Sequence, residues 1–294
     1  MSDTYVASIP RGYWVNGACC REAVLREPTG EDQAFLTEAA PTLLPAQWAT
    51  EVLARCLTRL GTPEPVTRDA VRSLSVGDRE ALLLQLRRLT SGDRLQCLLT
   101  CPSPDCGEEL DLDLKVSDLL LPCYGRAWED GAQERHEVRV RDGDAAHLVR
   151  FRLPTGSDHE AAALLARTDL TAAADLLLRR CVESVVSADG VPIDGIPEVL
   201  FEPVSTRMAE LDPQAELTLR INCPACGRTF AAVFDAASYL FQELQAGMRH
   251  LYHEVHLLAF HYHWNPSEIL GMSSRMRRRY LELLEEELSE RGSR

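Results

Sequence analysis

Apolar and polar residues alternate in two short regions of the chain, and a turn dipeptide interrupts each region. The turns are Asn16-Gly17 near the start and Asp142-Gly143 near the middle, and short apolar runs flank both. Asn-Gly and Asp-Gly readily supply the positive φ angles that tight hairpin turns need. The pattern therefore predicts two β-hairpins.

A segment of similar sequence follows each predicted hairpin. Residues 25–32 read LREPTGED and residues 151–158 read FRLPTGSD, at an offset of 126 residues. Thr29 and Thr155 are suited to cap a helix, and an aspartate stands three residues after each, where a capping box has its second member. We expect a helix to begin after Pro-Thr-Gly in both places.

Two further markers repeat in the same order. Leu53–Cys56 and Leu178–Cys181 each end an apolar helical stretch, at an offset of 125. Cys101–Gly107 and Cys223–Gly227 then form two cysteine turns, at an offset of 122, and a strand-like segment follows each turn. Leucine spacing over 71–89 predicts one helix in the first half, whereas prolines interrupt the corresponding stretch of the second. Markers that repeat in a constant order indicate an internal duplication.

The cysteines of the two turns are the candidate metal ligands: Cys101, Cys106, Cys223 and Cys226. Two thiolates a few residues apart can bind one ion, and two such turns make one tetrahedral site if the halves pack about a pseudo-twofold axis. We predict a structural Zn²⁺ that joins the halves. Free thiols and redox-active cysteine pairs are the alternatives. A catalytic zinc is disfavoured because four thiolates leave no open position for water.

Composition narrows the function classes. The 294 residues include ten cysteines, which are too dilute for a disulfide scaffold, and Cys56 and Cys181 are expected to be core residues. No charged-then-apolar leader follows Met1, and no apolar run reaches the ~20 residues of a membrane span, so we expect a cytoplasmic protein without a membrane partner. The formal net charge of −14 disfavours binding to nucleic acid.

A long amphipathic helix is predicted after the second cysteine turn, since apolar residues recur there every three or four positions: Leu244, Met248, Leu251, Val255, Leu258 and Tyr262. Histidines lie between them: His250, His253, His256, His261 and His263. His253 and His256 are three residues apart, whereas the HExxH metalloprotease motif needs a spacing of four. Interfacial or hydrogen-bonded histidines are therefore the favoured interpretation, and a second metal site or a general-base role is the alternative. Asn265-Pro266 with Glu268 predicts the capped start of a further helix.

The last predicted helix is amphipathic, with an apolar side, a basic cluster near its start and an acidic cluster after it. Two interpretations are open: a solvated helix, or a docking surface for a partner protein. Arginines at a helix N-terminus oppose the helix dipole, and carboxylates of a partner would compensate. In the second interpretation the candidate partner-binding residues are Tyr280, Arg277, Arg278 and Leu284.

Together these patterns predict an α+β fold made of two duplicated halves related by a pseudo-twofold axis. Each half contains a β-hairpin, helices and a zinc-knuckle hairpin, the four-cysteine zinc site joins the halves, and a C-terminal helical extension follows. The expected boundaries are 1–125 for the first repeat, 126–235 for the second repeat and 236–294 for the C-terminal helical region.

Several short motifs, and their order along the chain, resemble those of the phage-type baseplate hub assembly chaperones of contractile tails and contractile injection systems. They are Gly12-Tyr13-Trp14, the repeated Pro-Thr-Gly, Val76–Arg79, Leu89–Arg94, the two cysteine turns and His261–Trp264. The resemblance spans most of the chain. It implies a cytoplasmic, non-catalytic chaperone that binds hub or spike proteins and assists assembly of the baseplate hub.

Motifs of common enzyme classes are missing from the sequence. It has no phosphate-binding glycine-rich loop with its lysine and no Gly-x-Ser-x-Gly elbow, so no enzymatic activity is expected. One alternative is a zinc-ribbon regulatory protein that binds nucleic acid or the transcription machinery, which would need a basic face. The other is a hydrolase that uses His253 and His256, although neither the motif nor the spacing fits.

Overall fold

The structure is a computed structural model that describes residues 4–15, 17–62, 64–124, 135–143 and 145–292. Helices alternate with antiparallel strands along these residues, so the fold is mixed α+β. The fold class predicted from the sequence is confirmed at this level.

The first hairpin forms at the predicted place. β1 (Thr4–Val15) pairs antiparallel with β2 (Ala18–Arg26), and Gly17 in the turn has a φ of +77°, which favours glycine. β3 (Leu57–Leu60) pairs with the other edge of β2 and completes a three-stranded sheet. The helices of this region are α1 (Gly30–Ala39), α2 (Pro45–Cys56), α3 (Arg68–Ser73) and α4 (Val76–Ser91).

α3 and α4 correct the expectation of one helix over 71–89. The chain is extended at Leu74, and the Ser75 hydroxyl caps α4 by accepting a hydrogen bond from the amide of Asp78 (3.1 Å). The apolar spacing continues across this break, so periodicity alone does not reveal it. A serine within an apolar repeat is the local signal, because serine is a preferred N-cap residue.

A two-stranded ribbon leads to the first cysteine turn and back. β4 (Arg94–Thr100) pairs antiparallel with β5 (Glu109–Lys115), with Thr100 opposite Glu109 at the turn. The short helix α5 (Val116–Leu119) follows.

The second hairpin begins a four-stranded antiparallel sheet in the order β6-β7-β8-β9. Its strands are β6 (His136–Asp142), β7 (Ala145–Phe151), β8 (Val182–Ser187) and β9 (Pro192–Ile193). The helices of this region are α6 (Gly156–Ala166), α7 (Leu170–Cys181) and α8 (Phe201–Leu211). A second ribbon follows, in which β10 (Leu217–Asn222) pairs antiparallel with β11 (Thr229–Phe234).

Three helices form the C-terminal region. α9 (Ala236–Tyr262) has 27 residues and ends at His263, whose φ of +57° is left-handed; α10 (Pro266–Leu270) and α11 (Ser274–Gly292) follow. Asn265 caps α10 in a capping box with Glu268, and Pro266 is its first helical residue, which confirms the sequence prediction. The side chain of Met248, one member of the predicted apolar stripe, lies outside the described residues.

Both Pro-Thr-Gly segments begin a helix as predicted. The amide of Thr29 donates to the Asp32 carboxylate (2.9 Å), and the amide of Thr155 donates to the Asp158 carboxylate (3.0 Å). Both aspartates are buried at the first turn of their helix. The carboxylates therefore hold the entry of the chain into α1 and α6.

Apolar side chains form separate clusters along the chain. The cluster of the first half also contains residues from the start of α9, including Leu240, whereas Phe151 and Leu200 belong to a cluster within the second half. Leu258 of α9 packs with Ile269 of α10 in the C-terminal region. Within the described part of the chain, no helix combines the length and the apolarity that crossing a bilayer requires.

Candidate metal centre

The two ribbons place the four predicted ligands at their tips. Cys101 directly follows β4 and Cys106 lies five residues later, while Cys223 directly follows β10 and Cys226 lies three residues later. The ribbons are separated by more than 100 residues of chain, yet their turns meet. The structure thus brings together all four cysteines that the sequence singled out.

Backbone hydrogen bonds fix the two turns in a similar form. The amide of Cys101 donates to the carbonyl of Glu108 (2.8 Å), and the amide of Cys223 donates to the carbonyl of Arg228 (2.9 Å). A glycine with positive φ follows the second cysteine of each turn, at +60° for Gly107 and +72° for Gly227. Residues with a Cβ rarely adopt this conformation, so the glycine allows the chain to return into its second strand.

The sulfur atoms form a compact cluster of four. The Sγ atoms of Cys101 and Cys226 are 3.8 Å apart, those of Cys106 and Cys223 are 3.7 Å apart, and all four lie within 4.8 Å of one another. Disulfide sulfurs are only about 2.05 Å apart, and these cysteines are free. Tetrahedral Zn–S bonds of about 2.3 Å place their sulfurs about 3.8 Å apart. The spacing therefore matches a metal tetrahedron.

Apolar residues pack beneath the sulfurs and shield one side of the cluster. Cys101 and Cys223 are buried in a small hydrophobic cluster with Leu110 and Ile221, whereas Cys226 is exposed. A side-chain hydrogen bond from Arg228 to Ser103 (3.3 Å) also links the two turns, although it is exposed. The cluster can hold a metal ion between the ribbons.

The thiols influence each other's ionisation. A backbone hydrogen bond from Arg228, together with hydrogen bonds from the neighbouring thiols, lowers the pKa of Cys226 to about 7. At Cys106 a backbone hydrogen bond from Glu108 acts in the same direction, but desolvation and the adjacent thiols outweigh it and raise its pKa to about 12. The thiolate of Cys226 thus forms readily, whereas Cys106 keeps its proton near neutral pH. A cation that binds all four sulfurs as thiolates has to displace the proton of Cys106.

A protein-family model, described as T4 bacteriophage base plate protein, matches residues 25–242. This range is more than half of the chain and contains both Pro-Thr-Gly helix starts and all four clustered cysteines. The chain belongs to this family. This membership confirms the resemblance to phage baseplate proteins that the sequence motifs indicate. No curated protein and no solved structure matches the chain.

The predicted partner-binding residues divide into buried and accessible ones. Arg277 is 1% exposed and Leu284 is also buried, so the structure corrects the expectation that they lie on a free surface. Arg277 is held inside the chain by the Glu254 carboxylate (2.8 Å), an ion pair that the sequence analysis missed because no local pattern relates α9 to α11. Arg278 is exposed and Tyr280 is partly buried, and for these two residues partner binding stays a prediction.

The histidines of α9 and its end do not form a second cluster. All five are exposed, and among the described residues the four cysteines are the one group of three or more side chains able to hold a metal ion. The apolar face that the spacing predicted is present, since Leu251, Val255 and Leu258 are buried. The exposed face of α9 carries aromatic side chains, Tyr252 and Phe260, which the sequence analysis did not single out.

Two other cysteines fulfil their predicted packing role. Cys56 and Cys181 end α2 and α7 and are fully buried. Desolvation raises the pKa of each thiol to about 12, so neither is a reactive thiolate near neutral pH.

Proposed function

We propose that this base plate protein is a non-catalytic assembly factor, a chaperone for the baseplate hub or spike of a contractile phage tail-like injection system. It acts in the cytoplasm by binding hub or spike proteins. The observation that carries the proposal is the family match over residues 25–242. The acidic net charge of −14 agrees with protein partners better than with nucleic acid.

The metal of the cluster is a structural Zn²⁺ in this proposal. Four cysteine sulfurs with spacings of 3.7 and 3.8 Å suit Zn²⁺, which prefers tetrahedral thiolate coordination in structural sites. Cys101 and Cys106 come from one ribbon and Cys223 and Cys226 from the other, so the ion would cross-link them. Such sites contribute about 10–16 kcal/mol of apparent binding energy, which is comparable to the stability of a whole domain.

The two halves arise from an internal duplication, and their ion clusters support this part of the proposal. In the first half Asp32 pairs with Arg26 and lies 3.7 Å from Arg55. In the second half Asp158 pairs with Arg152 (2.6 Å) and Arg180 (2.9 Å). The offsets are 126 for the aspartate and the first arginine and 125 for the second, the same offsets that relate the sequence markers.

The contact surface for the partner is the exposed face of α9. Tyr252 and Phe260 lie two helical turns apart on this face and are 55% and 67% exposed, and His256 stacks on Phe260 between them. Exposed aromatic residues are enriched at protein interfaces because they bury a large apolar area with few rotatable bonds. The surface would cover an aggregation-prone region of a hub protein until its neighbours arrive.

Co-expression tests the proposal. The full chain is expressed with each of a set of candidate hub and spike proteins, and the soluble yield of that protein is measured. We expect the native chain to raise the yield of at least one of them, and the double variant Tyr252→Ala/Phe260→Ala to lose most of the gain. Leu164→Ala removes an equally exposed apolar side chain on α6 and serves as the matched control. Unchanged yields with the native chain for every hub and spike protein would refute the chaperone role.

A further inference from the structure

Residues 67–91 and 265–289 share a pattern at a constant offset of 198, distinct from the offset that relates the two halves. Thr67 and Asn265 each cap a short helix, α3 and α10. Val71 and Ile269, at the same offset, are the fully buried residues of those helices. The short helices are therefore equivalent in both capping and burial.

The same offset relates the longer helices that follow, α4 and α11. Ser75 accepts a hydrogen bond from the third residue after it at the start of α4, and Ser273 does the same before α11 (3.1 and 3.4 Å). Five positions are identical between the two segments: Ser75 and Ser273, Arg79 and Arg277, Leu83 and Leu281, Leu86 and Leu284, and Ser91 and Ser289.

The first segment docks on the helix start of the second half. Ser75 forms an isolated β-bridge with Thr155, and the amide of Gly156 donates to the carbonyl of Leu74 (3.1 Å). The buried guanidinium of Arg79 occupies the space beside Gly156 where a Cβ would stand.

The second segment docks on the helix start of the first half in the same way. Ser273 forms an isolated β-bridge with Thr29, and the amide of Gly30 donates to the carbonyl of Met272 (3.0 Å). A Cβ on Gly30 would lie 3.0 Å from the guanidinium of Arg277, which is buried against it. Each Pro-Thr-Gly segment therefore has a second role besides starting a helix.

We propose that the Thr29–Gly30 helix start is a binding site for a helix-starting segment of the form Ser-x-x-x-Arg, and that residues 265–289 are its ligand. The amide of Gly30 donates to the Met272 carbonyl of the segment, and the missing Cβ of Gly30 leaves space for the guanidinium of Arg277. More than 200 residues of chain separate the site from its ligand. The same contacts therefore form between two copies of the chain when the segment of one copy reaches the site of the other.

Arg277 determines the specificity of the site. Its Nη2 donates to the Gln33 side chain (2.7 Å), its Nε to the Glu254 carboxylate (2.8 Å) and its Nη1 to the carbonyl of Met272 (2.7 Å). This set needs several N–H donors in a planar fork, which lysine does not have. A lysine at this position is therefore not an adequate replacement.

The test uses the full chain with Arg277→Ala and a fluorescent peptide of residues 264–292. The peptide should bind this variant at least ten times more tightly than it binds the native chain, whose own segment competes for the site. A peptide with Arg277→Lys should bind at least ten times more weakly than the native peptide. The matched control is a peptide with Arg279→Ala, which removes an exposed arginine paired with Glu282 and should bind like the native peptide.

Equal binding of the Arg277→Lys and native peptides, or no saturable binding to the Arg277→Ala chain, would overturn the proposal. Gln33→Ala removes two side-chain hydrogen bonds, one from Arg277 and one to Ser274, and provides a second test that does not depend on Arg277→Ala folding. In that variant, hydrogen exchange at the Gly30 amide should accelerate at least fivefold while exchange at the Gly156 amide stays unchanged. Equal exchange at Gly30 in the native chain and in the Gln33→Ala chain would also contradict the site.

Discussion

Replacing Asp158 by asparagine removes the charge at the centre of a buried ion cluster. Asp158 is 1% exposed and accepts hydrogen bonds from Arg152 (2.6 Å), Arg180 (2.9 Å) and the amide of Thr155 (3.0 Å). Burial alone would raise the pKa of Asp158, but the hydrogen bonds from Arg152 and Thr155 lower it well below its ordinary value. The carboxylate is therefore ionised throughout the ordinary pH range, and asparagine leaves both arginines without their counter-ion.

The size of the effect follows from the exposure of the three side chains. Removing one partner of a buried ion pair costs about 3–5 kcal/mol. The side chains of Arg152 and Arg180 are 18% and 39% exposed, so solvent screens the charges that remain and favours the lower end. We expect Asp158→Asn to lower the free energy of unfolding by about 3 kcal/mol. Asp32→Asn should have a similar effect, because Arg26 occupies the equivalent position.

Equilibrium unfolding in urea at pH 7, followed by circular dichroism, measures this change. Glu137→Gln is the matched control, since the pair of Glu137 with Arg150 is exposed at both ends, and we expect it to cost less than about 1 kcal/mol. A cost below about 1 kcal/mol for Asp158→Asn would show that the ion cluster does not hold the start of α6.

Three further predictions concern single residues. Burial and the nearby Asp235 raise the pKa of Glu80 to about 8, so the folded chain keeps a proton that the unfolded chain loses, and stability falls as pH rises from about 4 to 8. Glu80→Gln should have a free energy of unfolding higher than that of the native chain by about 1 kcal/mol or more at pH 8, and the difference should be smaller at pH 5. A difference that does not grow with pH would contradict this. Cys181→Ser should lower the free energy of unfolding in urea by about 1–3 kcal/mol because it places a hydroxyl in the core. Cys123 is exposed, so Cys123→Ser should change the free energy of unfolding little. Equal effects of the two substitutions would contradict the packing role of Cys181. Gly227→Ala should cost about 1–2 kcal/mol in thermal unfolding, because a residue with a Cβ rarely adopts the positive φ of this position, although no atom obstructs the new Cβ. An unchanged unfolding midpoint would contradict the need for glycine in this turn.

Local signals explain what the sequence predicts well. Capping residues such as Thr29, Thr155 and Asn265 act within one helical turn, so their pattern specifies where α1, α6 and α10 begin. The cysteine turns are likewise short motifs, and the repeat indicates that they belong together. The boundaries at 125 and 235 are not tested by these observations and stay predictions.

Tertiary contacts explain what the sequence did not predict. Leucine spacing over 71–89 is the same in one helix or two, and the docking of Ser75 against Thr155 favours the break at Leu74 in addition to the Ser75 cap. Arg277 belongs to a basic cluster and carries no local sign of burial, because its partners Gln33 and Glu254 lie on other helices. The sequence also does not predict which sulfurs are neighbours, Cys101 with Cys226 and Cys106 with Cys223, because this depends on how the ribbons meet.

The metal content of the purified chain tests the central claim most directly. Elemental analysis combined with X-ray absorption of protein prepared under reducing conditions should find one zinc per chain, bound by four sulfurs at about 2.3 Å. Cys226→Ser, which removes one ligand, should change the first shell to three sulfurs and one lighter atom or abolish binding. Metal-free native protein in which Cys101, Cys106, Cys223 and Cys226 all react freely with a thiol reagent would contradict the claim.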